Sequence, residues 1–201
     1  MIALIDYGAG NLTSVKKALA AIGADVVVPS QPGELESAHG VIVPGVGHFG
    51  ATRALEGAWT EAIVQRIGEG RPVLGICLGM QWLFEGSDEA PDVPGLGILA
   101  GRSYRLGLRA DQMIKVPHVG WNSLAITREA SIIDGVAPNS QVYFTHSFVV
   151  PVTGDTVAVT EHGDTFAAVV QHGQIAGVQF HPEKSGDVGL RILRNFVQLA
   201  G

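Results

Sequence analysis

The chain has 201 residues, a formal charge of −6 and a single cysteine. That length suits one domain with an ample buried core, and one cysteine cannot close an intrachain disulfide, so the thiol is expected to be free. No run of Lys or Arg offers a footprint for nucleic acid or an anionic membrane, and the two stretches without charged side chains, 135–154 and 165–182, are broken by Pro, Gly and polar residues, which excludes them as membrane spans. Small molecules and protein partners remain. The start carries no basic segment followed by an apolar one, so a cytoplasmic, reducing location is expected.

Residues 2–5, 26–28, 41–43 and 73–76 are nearly continuous aliphatic runs, the pattern of strands covered on both faces of a parallel sheet. Between them, Leu12, Val15, Leu19 and Ile22 recur at helical spacing and stop at Gly23, and residues 54–67 predict a second helix ending near Gly68 and Gly70. This alternation implies right-handed crossovers and a ligand site at the carboxyl ends of the strands. In the second half, 142–150, 157–160, 166–170 and 175–180 read as strands, and HGD and HGQ between the last three predict antiparallel hairpins. A last helix follows Ser185 as N-cap, with Val188, Ile192, Leu193, Phe196 and Val197 on one side. The expected fold is an α/β one: an open, mixed, mostly parallel sheet flanked by helices, with antiparallel hairpins in its C-terminal half.

The cysteine lies in PVLGICLGMQ, residues 72–81, directly after an apolar run. Gly75 and Gly79 flank Cys77 at two residues on either side, the spacing that lets a nucleophile stand on a sharp strand-to-helix turn. First-turn amides of the following helix favour a thiolate, and the Leu78 amide is placed to donate to an oxyanion. Against this stands the ordinary fate of a free cysteine, that of a small buried hydrophobe.

A thiolate needs a base. Of seven histidines, His162 and His172 sit in glycine turns and His39 precedes Gly40, so turn or surface roles explain them. His181 differs: in GVQFHPEKSG it ends an apolar strand, and Glu183 lies two positions on, on the same side of extended chain. A carboxylate there fixes the imidazole tautomer and aims the other nitrogen at the thiol, giving a Cys-His-Glu triad. A surface turn or a metal pair is the plainer alternative, though no third and fourth ligand stand at a recognisable spacing, and no metal is expected. VIVPGVGHFG, residues 41–50, adds a loop whose Gly45 and Gly47 can turn amides towards a ligand, or merely connect strand to helix. YGAGNLT invites a dinucleotide reading but has Thr13 where a small residue is required, so no nucleotide cofactor is expected.

Read together, GICLGMQ, PGVGHF and FHPEKSG in this order resemble the class I, or triad, glutamine amidotransferases, over essentially the whole chain, 1–201. DYGAGN, KVPHVGWN at 115–122 and QFHPEKSG at 179–186 resemble most closely the branch whose members serve as glutaminase subunits in imidazole glycerol phosphate synthesis. The resemblance implies that Cys77 attacks the glutamine carboxamide, that His181 shuttles the proton and that Glu183 orients His181. It implies an oxyanion hole from Gly45, Val46, Gly47 and Leu78, and a glutamine pocket using Gln81, Glu89, Ser147 and Phe148. It further implies a heterodimer with a barrel-shaped cyclase subunit, met near Trp121, Asn122, Tyr143 and Lys184, that consumes the ammonia in making imidazole glycerol phosphate and an aminoimidazole carboxamide ribotide for histidine. No cofactor is implied. Trp82 departs from the family, standing where an aliphatic residue is usual. A glutaminase serving a different ammonia-using synthase, a free-standing γ-glutamyl hydrolase, a silent module and a redox-sensing thiol protein are the rival readings.

Overall fold

The structure is a computed structural model, and it describes residues 1–107 and 114–201. In chain order its strands and helices are β1 (Ile2–Leu4), α1 (Leu12–Ala21), β2 (Val26–Val27), β3 (Gly40–Val43), α2 (Ala58–Gly68), β4 (Val73–Ile76), α3 (Leu78–Trp82), β5 (Phe84–Ser87) and β6 (Leu99–Arg105). They continue with β7 (His118–Ser123), β8 (Ala125–Ile126), β9 (Gln141–His146), β10 (Phe148–Val149), β11 (Thr156–His162), β12 (Asp164–His172), β13 (Ile175–Val178) and α4 (Gly186–Leu199).

The main sheet has eight strands in the order β2-β1-β3-β4-β13-β12-β11-β8. β2, β1, β3, β4 and β13 run parallel, while β12, β11 and β8 continue the sheet with each strand antiparallel to its neighbour. Successive residues of the apolar runs feed opposite faces. Leu4, Ile42 and Leu74 pack with Leu19 of α1 and Phe196 of α4; Ala3, Val41 and Val73 pack with Ile63 of α2 and Met80 of α3. This double covering is why these strands read as unbroken hydrophobic sequence rather than as alternation. No helix of the described residues is long and apolar enough to cross a membrane.

Three expectations shift. The helix expected over 54–67 is two elements: a 3-10 helix at Phe49–Leu55, then α2, separated by Gly57 at φ +71°. The strand expected over 142–150 bends at Ser147, so β9 pairs with β7 while β10 joins β6 and β5 in a separate sheet. Ser185 does precede α4, but its side chain does not cap the helix; Oγ donates to the His181 carbonyl (2.6 Å) and accepts from the Tyr143 amide (3.0 Å), tying three segments together.

Because β3, β4 and β13 are adjacent and parallel, the chain leaving each emerges at one edge. The loop after β3, the elbow after β4 and the segment after β13 are therefore neighbours, although the sequence spreads the three over more than a hundred positions.

Candidate active site

β4 delivers Cys77 to this edge and must turn at once into α3. Cys77 itself makes the turn: its φ of +51° lies in the left-handed region, where a side chain is strained. The flanking glycines make room. A methyl on Gly75 would stand 2.6 Å from the backbone of Gly79 and Met80, and one on Gly79 would land on the Val43 carbonyl oxygen, so α3 packs directly against β4 and β3. The Cys77 amide donates to the Val178 carbonyl (2.8 Å), fastening the elbow to β13.

From β13 the chain runs through Gln179, whose Nε2 lies 3.6 Å from the Cys77 sulfur, to His181. His181 Nδ1 meets Glu183 Oε1 at 2.9 Å, with the two side chains 2% and 1% exposed. A carboxylate only accepts, so Nδ1 carries the proton and Nε2 is left as the free nitrogen. Nε2 is buried and closes no other hydrogen bond among the described residues. Burial by itself would lower the proton affinity of the ring, but the Cys77 thiol and the Glu183 carboxylate beside it outweigh that and raise its pKa from 6.5 to about 10. Such a ring binds a proton on Nε2 readily, which is what a base beside sulfur has to do.

Cys77 opens on a cavity of about 290 Å³ walled by Gln81, Glu89, His146, Ser147 and Phe148 among others. Gln81 stands one helical turn beyond Cys77; its Nε2 donates to the Phe148 carbonyl (2.9 Å) and to Gln179 Oε1 (3.2 Å). Glu89 is anchored through Oε2, which accepts from the Phe49 amide at 2.7 Å. The Leu78 amide, expected to face an oxyanion, instead donates to the Gly45 carbonyl at 3.4 Å. Gly45 is pressed against the elbow, with no space for a methyl between Tyr7, Leu78 and Gly79, while Gly47 leaves the loop at φ +100°. In this conformation the loop presents a carbonyl where the chemistry needs N–H groups.

Residues 3–199 match the model of the family described as glutamine amidotransferase class-I. The chain belongs to that family. Among curated relatives, this amidotransferase is 45% identical to the Halobacterium salinarum protein named imidazole glycerol phosphate synthase subunit HisH, over 98% of this chain and 92% of the relative. It is 44% identical to the protein of the same name from Methanothermobacter thermautotrophicus, over 99% and 98%. Solved structures share the fold at lower identity: a glutamine amidotransferase with TM-score 0.77 and 23% identity, both chains covered in full, and PurLQS from Thermotoga maritima with TM-score 0.77 and 17% identity, over 98% and 97%.

The amidotransferase also gathers the residues expected at a partner surface. Trp121 on β7 is opposite Tyr143 on β9, their rings edge to face at 6.0 Å, and Lys184 Nζ lies 5.7 Å over the Tyr143 ring. Trp121 is 56% exposed, and Val119 on the same strand face is 57% exposed, an outward apolar pair. Asn122 is turned inward, donating Nδ2 to the Glu161 carbonyl at 2.9 Å.

Sequence reasoning passes over His118 and His146 and leaves His162 in a turn. The structure packs the three together: His118 and His146 are register partners on β7 and β9, with rings 5.1 Å apart, and His162 stacks on His118 at 4.2 Å. The available signal was strand alternation, since both His118 and His146 fall at inward positions of a two-residue period. Burial, reinforced by the neighbouring rings, holds His146 down to about 3 and His118 to about 4. The unfolded chain protonates these rings near 6.5 and the folded chain does not, so stability is lost as pH falls below 6.5, until the folded rings charge. His181 acts in the other direction: its contribution is whole below 6.5 and is lost as pH rises towards 10. Between pH 7 and 4 the expected loss attributable to His146 is about 3 kcal/mol. Urea midpoints at the two pH values, for wild type and His146→Phe, check this; an equal pH slope in the two proteins contradicts it.

Proposed function

We propose that this chain is the glutaminase subunit of an imidazole glycerol phosphate synthase in histidine biosynthesis, hydrolysing glutamine to glutamate and passing ammonia to a cyclase partner. The observation that carries the reading is the meeting of Cys77, His181 and Glu183, with Cys77 opening on a polar cavity, in a chain 45% identical to proteins named as that subunit.

Sulfur attacks the side-chain carbonyl carbon of glutamine as His181 Nε2 takes the thiol proton. The tetrahedral oxyanion collapses, the carbon–nitrogen bond breaks, and His181 returns the proton to the departing ammonia. Water then attacks the γ-glutamyl thioester with His181 as base, releasing glutamate and restoring the thiol. Glu183 holds the ring in the tautomer this requires and offsets its charge while protonated. Gln81 and Glu89, with the segment of Ser147 and Phe148, seat the amino-acid end of the substrate. The oxyanion is held by the Leu78 amide together with one from the loop of Gly45, Val46 and Gly47.

That last step requires the loop to turn, because the Leu78 amide is spent on the Gly45 carbonyl. One missing oxyanion donor costs on the order of a hundredfold or more. A cyclase barrel docked as a heterodimer over Trp121, Asn122, Tyr143 and Lys184 supplies both the stimulus and a sealed route, since ammonia released into water becomes ammonium and loses its nucleophilic lone pair. The expected result is slow glutamate release from the isolated chain, accelerated at least about a hundredfold by the cyclase and its nucleotide substrate. Equal turnover with and without the partner counts against the proposal.

A further inference from the structure

A hydrogen-bonded line runs from the face that carries Trp121 to the wall of the cavity, and its polarity is determined at every step. An amide nitrogen only donates, so Asn122 Nδ2, 3.3 Å from His118 Nε2, leaves that ring its proton on Nδ1. His118 Nδ1–H then donates to His146 Nε2 at 3.2 Å, which places the proton of His146 on its own Nδ1. That N–H meets the Phe148 carbonyl at 3.1 Å. The donor chain points one way throughout.

Both ends are held. The second N–H of Asn122 is committed to the Glu161 carbonyl (2.9 Å), and its Oδ1 accepts from the Ser123 amide (2.8 Å). At the far end the Phe148 carbonyl accepts a second hydrogen bond, from Gln81 Nε2 at 2.9 Å, so the line ends on the atom that seats a cavity residue. His118 is kept in plane by stacking on Phe144 (4.8 Å) and on His162 (4.2 Å), whose Nε2 donates to the Lys115 carbonyl at 2.8 Å. Burial keeps both relay rings neutral across the working range, so each holds one proton to assign.

We propose that His118 and His146 are positioning residues: the orientation of the Asn122 amide sets their tautomers, and through them the placement of the Phe148 carbonyl against Gln81. This rests on reading the cavity as the glutamine pocket and the Trp121 face as the docking face. If an acceptor replaces Nδ2 opposite His118, the proton of His118 moves to Nε2. His146 must then donate through its own Nε2, and its Nδ1 lone pair confronts the lone pairs of the Phe148 carbonyl. That contact opens, and the cavity wall shifts with it. A partner that turns the Asn122 amide on docking would throw the same switch without touching the cavity.

Asn122→Asp installs the acceptor. Ring-nitrogen NMR on the histidine-labelled full chain reads the tautomers without substrate, and glutamine kinetics in the complex with the cyclase read the consequence. Wild type is expected to show Nδ1–H on both rings and Asn122→Asp to show Nε2–H on both. KM for glutamine is expected to rise about tenfold, with a smaller change in kcat, as befits one lost hydrogen bond at the cavity wall. His118→Phe keeps the stacking on Phe144 but cuts the line, so adding it is expected to cancel the KM effect of Asn122→Asp. Nε2–H on His146 in wild type, reversed tautomers with KM unchanged, or a KM effect that survives His118→Phe each overturn the relay. Cys77-dependent glutamate release tests the pocket reading separately, so the two failures are distinguishable.

Discussion

Cys77→Ala is expected to lower glutamate release on the order of 100,000-fold, to the level left when a nucleophile is removed from an otherwise intact site. The size of the effect follows from the architecture. Sulfur is the atom that forms the thioester, and His181, held through Nδ1 by Glu183, serves it as base. Removing sulfur therefore leaves no nucleophile able to form the covalent intermediate. The variant is still expected to assemble with the cyclase and to support product formation from added ammonia at the wild-type rate. Glutamate assays and ammonia-driven synthesis, run side by side on the complex, check both halves. Retained glutaminase activity would remove the nucleophile from the mechanism. Loss of ammonia-driven synthesis would mean that the substitution damages docking rather than chemistry.

Gly79→Ala is the second large effect, and it falls on folding. The added methyl would coincide with the Val43 carbonyl oxygen, a backbone atom at the end of β3 that no rotamer change moves aside. Either α3 lifts from β3 or the elbow opens, and both displace Cys77. A destabilisation of at least about 3 kcal/mol is expected, at the upper end for overpacking a core, which for a chain of this size lowers Tm by roughly 6–12 °C. Gly68→Ala is the matched control. It lies in the last turn of α2 with open space where the methyl goes, so it is expected to be neutral or to stabilise by up to about 1 kcal/mol. Thermal melts of the two variants in parallel decide the matter; similar shifts would show that glycine at 79 answers only to local backbone preference.

The sheet was legible where a short-range pattern had one physical meaning. Val73–Ile76 is found as read, because an unbroken aliphatic run beside glycines has few uses other than a strand covered twice. α1 begins and ends within a residue or so of its reading, since Asn11 caps it through its side chain and Gly23 stops it at φ +76°. Reading failed where two elements share one pattern. Residues 54–67 carry helical periodicity throughout, but Gly57 takes a positive φ, and the tight turn of Phe49–Leu55 is set by packing that brings the Phe49 amide to Glu89. The bend at Ser147 was hidden for a related reason. Both arms are β-prone, and only the presence of two different sheets to join divides them.

The sequence by itself determined the chemistry on offer: one thiol between two glycines, and a histidine with a carboxylate two residues on. Those are local facts, because spacing along a strand or turn governs which side chains face the same way. Only the tertiary structure decided that these groups meet, through the parallel pairing of β4 with β13, which sets Val178 opposite Ile76 and so brings Cys77 and His181 to one edge. It alone decided that the Leu78 amide rests on Gly45, and that three histidines far apart in the chain pack together. Hydrogen-bond direction and burial are properties of contacts between segments, and no spacing within one segment encodes them.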